Sequence, residues 1–171
     1  MPDEKAKELR FVQVIDPNLF GCVPRKLFKQ AGMTETQTDN AIRYGKHTLN
    51  RYVAKNGELV LIPNILVHIA LLIDSENKIR GIIWANFDVI EELIFVQLAS
   101  IERAYQGGFR KSIVEYLFGL EVDNRCKGKI RMATSRPRAY KKSGWKPAPM
   151  TLMEIDYEDM GTTDPEESGE A

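Results

Sequence analysis

Short apolar blocks separated by polar turns run along the chain, and their spacing predicts its elements. Residues 10–15, Arg-Phe-Val-Gln-Val-Ile, read as a strand that stops at Asp16 and Pro17. Two helical segments follow. Residues 24–30 set charges around Leu27 and Phe28, and residues 34–55 open on a capping-box-like Thr34-Glu-Thr-Gln37 and end before Asn56 and Gly57. Residues 66–73, 78–87 and 93–101 are rich in β-branched and aromatic side chains. Asp74 to Asn77 form a hairpin-like break between the first two, and residues 88–92 form the next, so the middle of the chain reads as an antiparallel meander. Further on, residues 112–120 place Ile113, Val114, Leu117 and Leu120 on one helical face, and residues 129–134 are another strand. A short helix over 138–143 ends at Gly144, a residue suited to a left-handed cap, and residues 145–147 and 150–156 close the sheet. No internal repeat and no second domain is visible.

Length and composition narrow the classes. A chain of 171 residues can bury a core without staples. Cys22 and Cys126 are far apart and match no metal or redox spacing, so free thiols in a reducing compartment are expected. The amino terminus is charged and lacks the apolar core of a signal peptide, and the longest apolar stretch, 62–73, is interrupted by Pro63, Asn64 and His68 and is too short to span a bilayer. A cytoplasmic protein is the expectation. The formal charge is zero, yet six acids and no Lys or Arg fall within 158–171, leaving 24 basic against 18 acidic side chains elsewhere. That acidic end has the composition of a disordered tail, and residues 1–157 form the expected domain. Between Arg103 and Lys146 twelve basic residues face three acidic ones, so this half attracts anions.

The candidate chemistry centres on residues 103–117. Gly107 and Gly108 join a strand-like stretch to a helix; a turn without side chains lets backbone N–H groups converge, and the helix N-terminus adds partial positive charge at the same point. Arg110 and Lys111 strengthen the attraction for a phosphate. Other patterns carry less: His47 and His68 have no partner at ligand spacing, so no metal site is expected, and no serine or cysteine nucleophile motif occurs. Trp84, Phe87 and Phe95 read as core aromatics. Arg43, His47, Arg51 and Tyr52 fall at helical spacing ahead of the sheet.

The order of elements and two motifs resemble the GNAT (Gcn5-related N-acetyltransferase) superfamily over roughly residues 10–156. Tyr105-Gln-Gly-Gly-Phe-Arg110 lies where the family has its pyrophosphate loop, with Tyr105 in place of Arg or Gln and Arg110 in place of Gly or Ala. Tyr140-Lys-Lys-Ser-Gly144-Trp145 is similar to the family's Tyr-x-x-x-Gly-Phe. The resemblance implies an α+β fold with a mixed, mostly antiparallel sheet flanked by helices, acetyl-CoA as cosubstrate, no metal, and an amine acceptor, either a protein or a small molecule. It further implies that Gln106, Gly107, Gly108, Phe109, Arg110 and Lys111 hold the coenzyme phosphates, with Arg136 or Arg138 assisting, and that a backbone N–H near Ser100 and Ile101 polarises the acetyl carbonyl. Tyr140 would protonate the leaving thiolate. Glu92, with Glu91 beside it, is the candidate base. The degenerate loop is similar to that of GNAT-like proteins of tailed bacteriophages, which leaves a non-catalytic module binding a host or phage protein as the alternative. A homodimer through the strand around 150–155 is a further implication. A nucleic-acid-binding face over 125–146, with Tyr140 and Trp145 as stacking partners, ranks third, because the fold already claims both aromatics.

Overall fold

The computed structural model describes residues 8–120, 128–134, 137–142 and 144–148. Strand β1 (Arg10–Gln13) leads through a 3₁₀ turn (Pro17–Cys22) to α1 (Arg25–Gln30) and α2 (Glu35–Thr48). A hairpin of β2 (Asn50–Lys55) and β3 (Glu58–Pro63) comes next, then β4 (Val67–Ile73), β5 (Ile79–Asp88) and β6 (Leu93–Ile101). A second 3₁₀ turn (Arg103–Tyr105) enters α3 (Phe109–Gly119), followed by β7 (Lys129–Met132) and α4 (Pro137–Lys141). The main sheet has five strands in the order β1-β4-β5-β6-β7; β6 and β7 run parallel and the other pairs antiparallel. The expected last strand (150–156), Cys126, Arg136 and the acidic tail lie outside the described residues. Residues 145–147, expected to begin closing the sheet, form no strand.

Both faces of the sheet are covered, which is why β4 to β6 read as nearly continuous apolar runs. On one face Phe20, Leu27 and Phe28 pack against Ile69, Leu71, Ile82 and Leu98. On the other, Ile113 and Leu117 of α3 pack against Leu72, Ile83, Ile94 and Val96. Tyr116 fixes the seat of α3: its ring stacks on Phe11 with centroids 4.1 Å apart, and its hydroxyl shares a 2.8 Å hydrogen bond with Nε2 of His68. Burial lowers the pKa of His68 and raises that of Tyr116.

The helix expected over 34–55 is corrected. Its start is as read, with Thr34 and Gln37 forming a reciprocal capping box, but it ends at Thr48. Asn64, arriving from beyond the hairpin, donates its backbone N–H to Leu49 O (2.8 Å) and its side-chain amide to Thr48 O (3.0 Å), taking carbonyls that a longer helix would have used. Residues 50–55 instead pair with 58–63, and Asn56 and Gly57 form the turn, with φ of 54° and 82°. Two successive left-handed residues match the right-handed twist of a two-residue hairpin. Arg51 and Tyr52 therefore sit on a strand and share no helical face with Arg43 and His47. Helix α3 also starts earlier than expected, at Phe109 rather than Ser112.

Helix α2 crosses the first 3₁₀ turn at unusually close range. A Cβ built on Gly45 would lie 2.5 Å from the ring of Phe20, so only glycine admits this approach.

Candidate active site

The site grows out of an irregularity in β6. Trp84 pairs with Leu98 and Ala85 with Val96, which leaves Gln97 as an extra residue on β6. The bulge is visible in the packing: Val96 and Leu98, two apart, would share a face in a regular strand, yet they belong to cores on opposite sides of the sheet. Beyond the bulge the sheet splits. Strand β7 pairs with β6 only from Leu93 to Val96, so among the described residues β6 has no strand on its outer edge from Gln97 to Ile101. Half of the backbone N–H and C=O groups of that segment face the gap.

A cleft of about 280 Å³ fills the gap, lined by β6 from Val96 to Ile101, by Ala133 and Thr134 after β7, by Gln106, Phe109, Arg110 and Tyr140, and by Gln30, Ala31 and Met33 at the end of α1. The Gly-Gly turn stands at its end. Gly108 has φ of 74°, and its carbonyl accepts the N–H groups of Lys111 and Ser112, both at 3.0 Å, starting α3. Among the described residues the N–H groups of Gly107, Gly108 and Arg110 donate to no backbone carbonyl, and a Cβ built on Gly107 or Gly108 would meet nothing within 4 Å. Open space, unused amides and a helix N-terminus therefore coincide.

No family model and no curated protein matches the sequence, whereas solved structures do match the fold. An aminoglycoside acetyltransferase from an uncultured soil metagenomic sample superposes with a TM-score of 0.61 at 14% identity, over 87% of this chain and 98% of its own. The aminoglycoside N-acetyltransferase AAC(6')-Iy, in complex with CoA, gives a TM-score of 0.61 at 12% identity over 91% and 99%. A protein from Desulfovibrio desulfuricans assigned to the GNAT family gives 0.54 at 14% over 81% and 86%. The chain has the GNAT fold.

Within that GNAT fold, most of the residues singled out in the sequence meet at one place. Ser100 and Ile101 are buried at the end of β6 and, with Gln106 and Phe109, line the cleft. Arg110 turns back over Tyr140, its guanidinium carbon 4.9 Å from the ring centroid, and Tyr140 meets Trp145 edge to face at 5.7 Å. Gly144 adopts φ of 85°, the left-handed cap anticipated for it. Two residues are not brought in. Lys111 is 82% exposed and pairs with Glu115 at 3.6 Å on the outer side of α3. Glu92 is exposed at the start of β6, in the left-handed region at φ 52°, eight residues before Ser100 and so about 26 Å from it along an extended strand. It does not line the cleft. Reading the sequence missed Gln97, although a single glutamine in an otherwise apolar run from Leu93 to Ala99 is the visible mark of the bulge.

Tyr105 is held by a polar cluster beneath the loop. Asp74 is 6% exposed and accepts the N–H groups of Glu76 and Lys78, each at 2.9 Å, and Nε of Arg80 at 2.7 Å. The Tyr105 hydroxyl reaches Asp74 at 3.4 Å under the Arg80 guanidinium, which also meets Glu102 at 3.1 Å; Lys26 of α1 pairs with Glu102 at 2.7 Å. The Lys78 N–H, with help from Arg80 and the Glu76 N–H, holds the Asp74 carboxyl down at about 2. A carboxylate whose pKa is lower folded than unfolded stabilises the fold above its unfolded pKa, near 3.9, and loses that contribution as pH falls toward 2. Thermal melts are therefore expected to show a steeper fall in Tm between pH 4 and pH 2 in the native chain than in Asp74→Asn. Equal slopes would remove Asp74 from the acid response.

Proposed function

We propose that this chain is an acetyl-CoA-dependent N-acetyltransferase that passes an acetyl group to an amine by direct attack on the thioester. The supporting observation is the convergence, on one cleft, of an open strand edge at a bulge, a side-chain-free turn at a helix N-terminus, and Tyr140 beside them. The amides of Gly107, Gly108 and Arg110 would receive the pyrophosphate, and the outer edge of β6 from Gln97 to Ile101 offers backbone partners to a linear amide chain. Acetyl-CoA, when bound, supplies an acyl group already activated as a thioester. An N–H on this edge near Ser100 and Ile101 would polarise the carbonyl. As the new C–N bond forms and the C–S bond breaks, Tyr140 would give its hydroxyl proton to the departing thiolate, and the amine proton would leave to water. Positioning is the larger part of such catalysis.

The test is calorimetric titration of the native chain and of Gly107→Val and Gly108→Val with acetyl-CoA. One-to-one binding in the micromolar range, weakened at least about tenfold in both variants, is the expected result; Gly107→Val matters most, because its Cβ enters open space and leaves the fold unstrained. No binding at millimolar coenzyme would overturn the reading and favour the alternative, a non-catalytic GNAT-fold scaffold for a host or phage protein. Pull-down of a protein partner would then be the next experiment.

A further inference from the structure

Arg110 stands where the GNAT loop usually carries Gly or Ala, and the structure gives the larger side chain an occupation. It is the second residue of α3, in the turn whose amides have no backbone acceptor among the described residues, and its guanidinium lies over Tyr140, its carbon 4.9 Å from the ring centroid. Tyr140 belongs to α4, a helix of five residues, too short to fix a side chain by its own turns. What holds the ring is its surroundings: Arg110 on one side and, edge on, Trp145, whose N–H returns to the Tyr140 carbonyl at 3.3 Å. Helix α3, in contrast, is anchored through Ile113 and Leu117, both buried in the core. The stack therefore transmits the position of a firm helix to a short one.

We propose that Arg110 is a positioning residue that couples occupancy of the Gly107–Gly108 anion loop to the placement of Tyr140. This rests on the coenzyme reading above. A guanidinium stacks through its face and hydrogen-bonds through its edge, so the two uses do not compete: the edge can take a phosphate oxygen while the face stays on the ring. A phosphate bound at the loop pins the guanidinium, and the pinned guanidinium pins the ring. An ordinary small residue at this position separates the two events, and here one side chain joins them.

Trp145 is a built-in reporter, since its indole contacts the same ring, and Trp145→Phe identifies its share of the fluorescence against Trp84. In the absence of coenzyme, Arg110→Met is expected to shift the Trp145 emission while leaving the thermal midpoint close to that of the native chain; unchanged emission overturns the positioning role. On titration with CoA, the native chain is expected to show a Trp145-dependent change that is lost in Arg110→Met and partly restored in Arg110→Lys, with calorimetric affinity weakened no more than about tenfold. The native change persisting in coenzyme-bound Arg110→Met overturns the coupling. If calorimetry shows no CoA binding to the native chain, the coenzyme reading fails and the coupling with it, and the emission of the coenzyme-free variant still decides whether Arg110 sets the ring. In turnover, the coupling predicts that Arg110→Met lowers kcat by a larger factor than it raises KM for acetyl-CoA.

Discussion

Replacing Tyr140 by phenylalanine is expected to lower turnover by roughly 10²- to 10⁴-fold, the usual worth of a positioned general acid, while leaving acetyl-CoA affinity within about a factor of three. Phenylalanine is the informative choice because it keeps the ring. The face under Arg110 and the edge toward Trp145 both survive, so the substitution removes the proton and little else. Tyr140→Ala removes the platform as well and should cost more, with a spectral change at Trp145 that Phe does not produce. Release of free thiol from acetyl-CoA in the presence of an accepted amine measures both. Native turnover in Tyr140→Phe would take Tyr140 out of the mechanism and leave the leaving thiolate to be protonated by water.

The largest effect on stability is expected at Phe20. Its side chain is fully buried, 5.7 Å from Trp84 and 6.0 Å from Phe28 between ring centroids, so Phe20→Ala should cost about 3–5 kcal/mol, or roughly 10 °C in Tm for a chain of this size. The same ring controls Gly45. Gly→Ala in a helix ordinarily gains about 1 kcal/mol, but here the new methyl would sit 2.5 Å from Phe20, and overpacking of about 1–3 kcal/mol reverses the sign. Removing the ring removes the clash. Gly45→Ala should therefore destabilise the native chain and stabilise the Phe20→Ala chain, a sign change readable from urea unfolding of the four proteins in the cycle. Additive effects would show that α2 and the 3₁₀ turn are not in the close contact described.

The sequence signals that succeeded are those whose cause is local. The meander was legible because each of β4, β5 and β6 is a run of β-branched and aromatic residues stopped by a polar turn, and Gly144 was legible because a short helix followed by glycine has few other endings. Asn56-Gly57 misled because the same pair terminates a helix and turns a hairpin. What separates the two uses is the pairing of residues 50–55 with 58–63 and the capping of α2 by Asn64, both of which depend on residues beyond the turn. Glu92 was drawn toward the site by its nearness in sequence to β6. A strand has two ends, and sequence proximity does not say which of them faces the cleft. At the site itself, the glycine turn could be read directly, because missing side chains are themselves the signal. The Arg110 to Tyr140 stack could not, since it depends on where α4 is laid down relative to the start of α3. Gln97 lies between these cases: its polarity was on view, but its meaning required the register of β5.

The parting of β6 from β7 has a consequence for any ligand of the cleft. Among the described residues no strand pairs with the edge from Gln97 to Ile101, so any compound that occupies the cleft must answer the backbone groups there. A greasy fragment that merely fills the volume strands buried amides and carbonyls at about 1–3 kcal/mol each and forfeits what it gains from burial. A peptidomimetic whose amides are spaced like those of a β-strand answers the edge group for group. For this chain, backbone mimicry rather than hydrophobic bulk is the rational starting point for a ligand of the cleft.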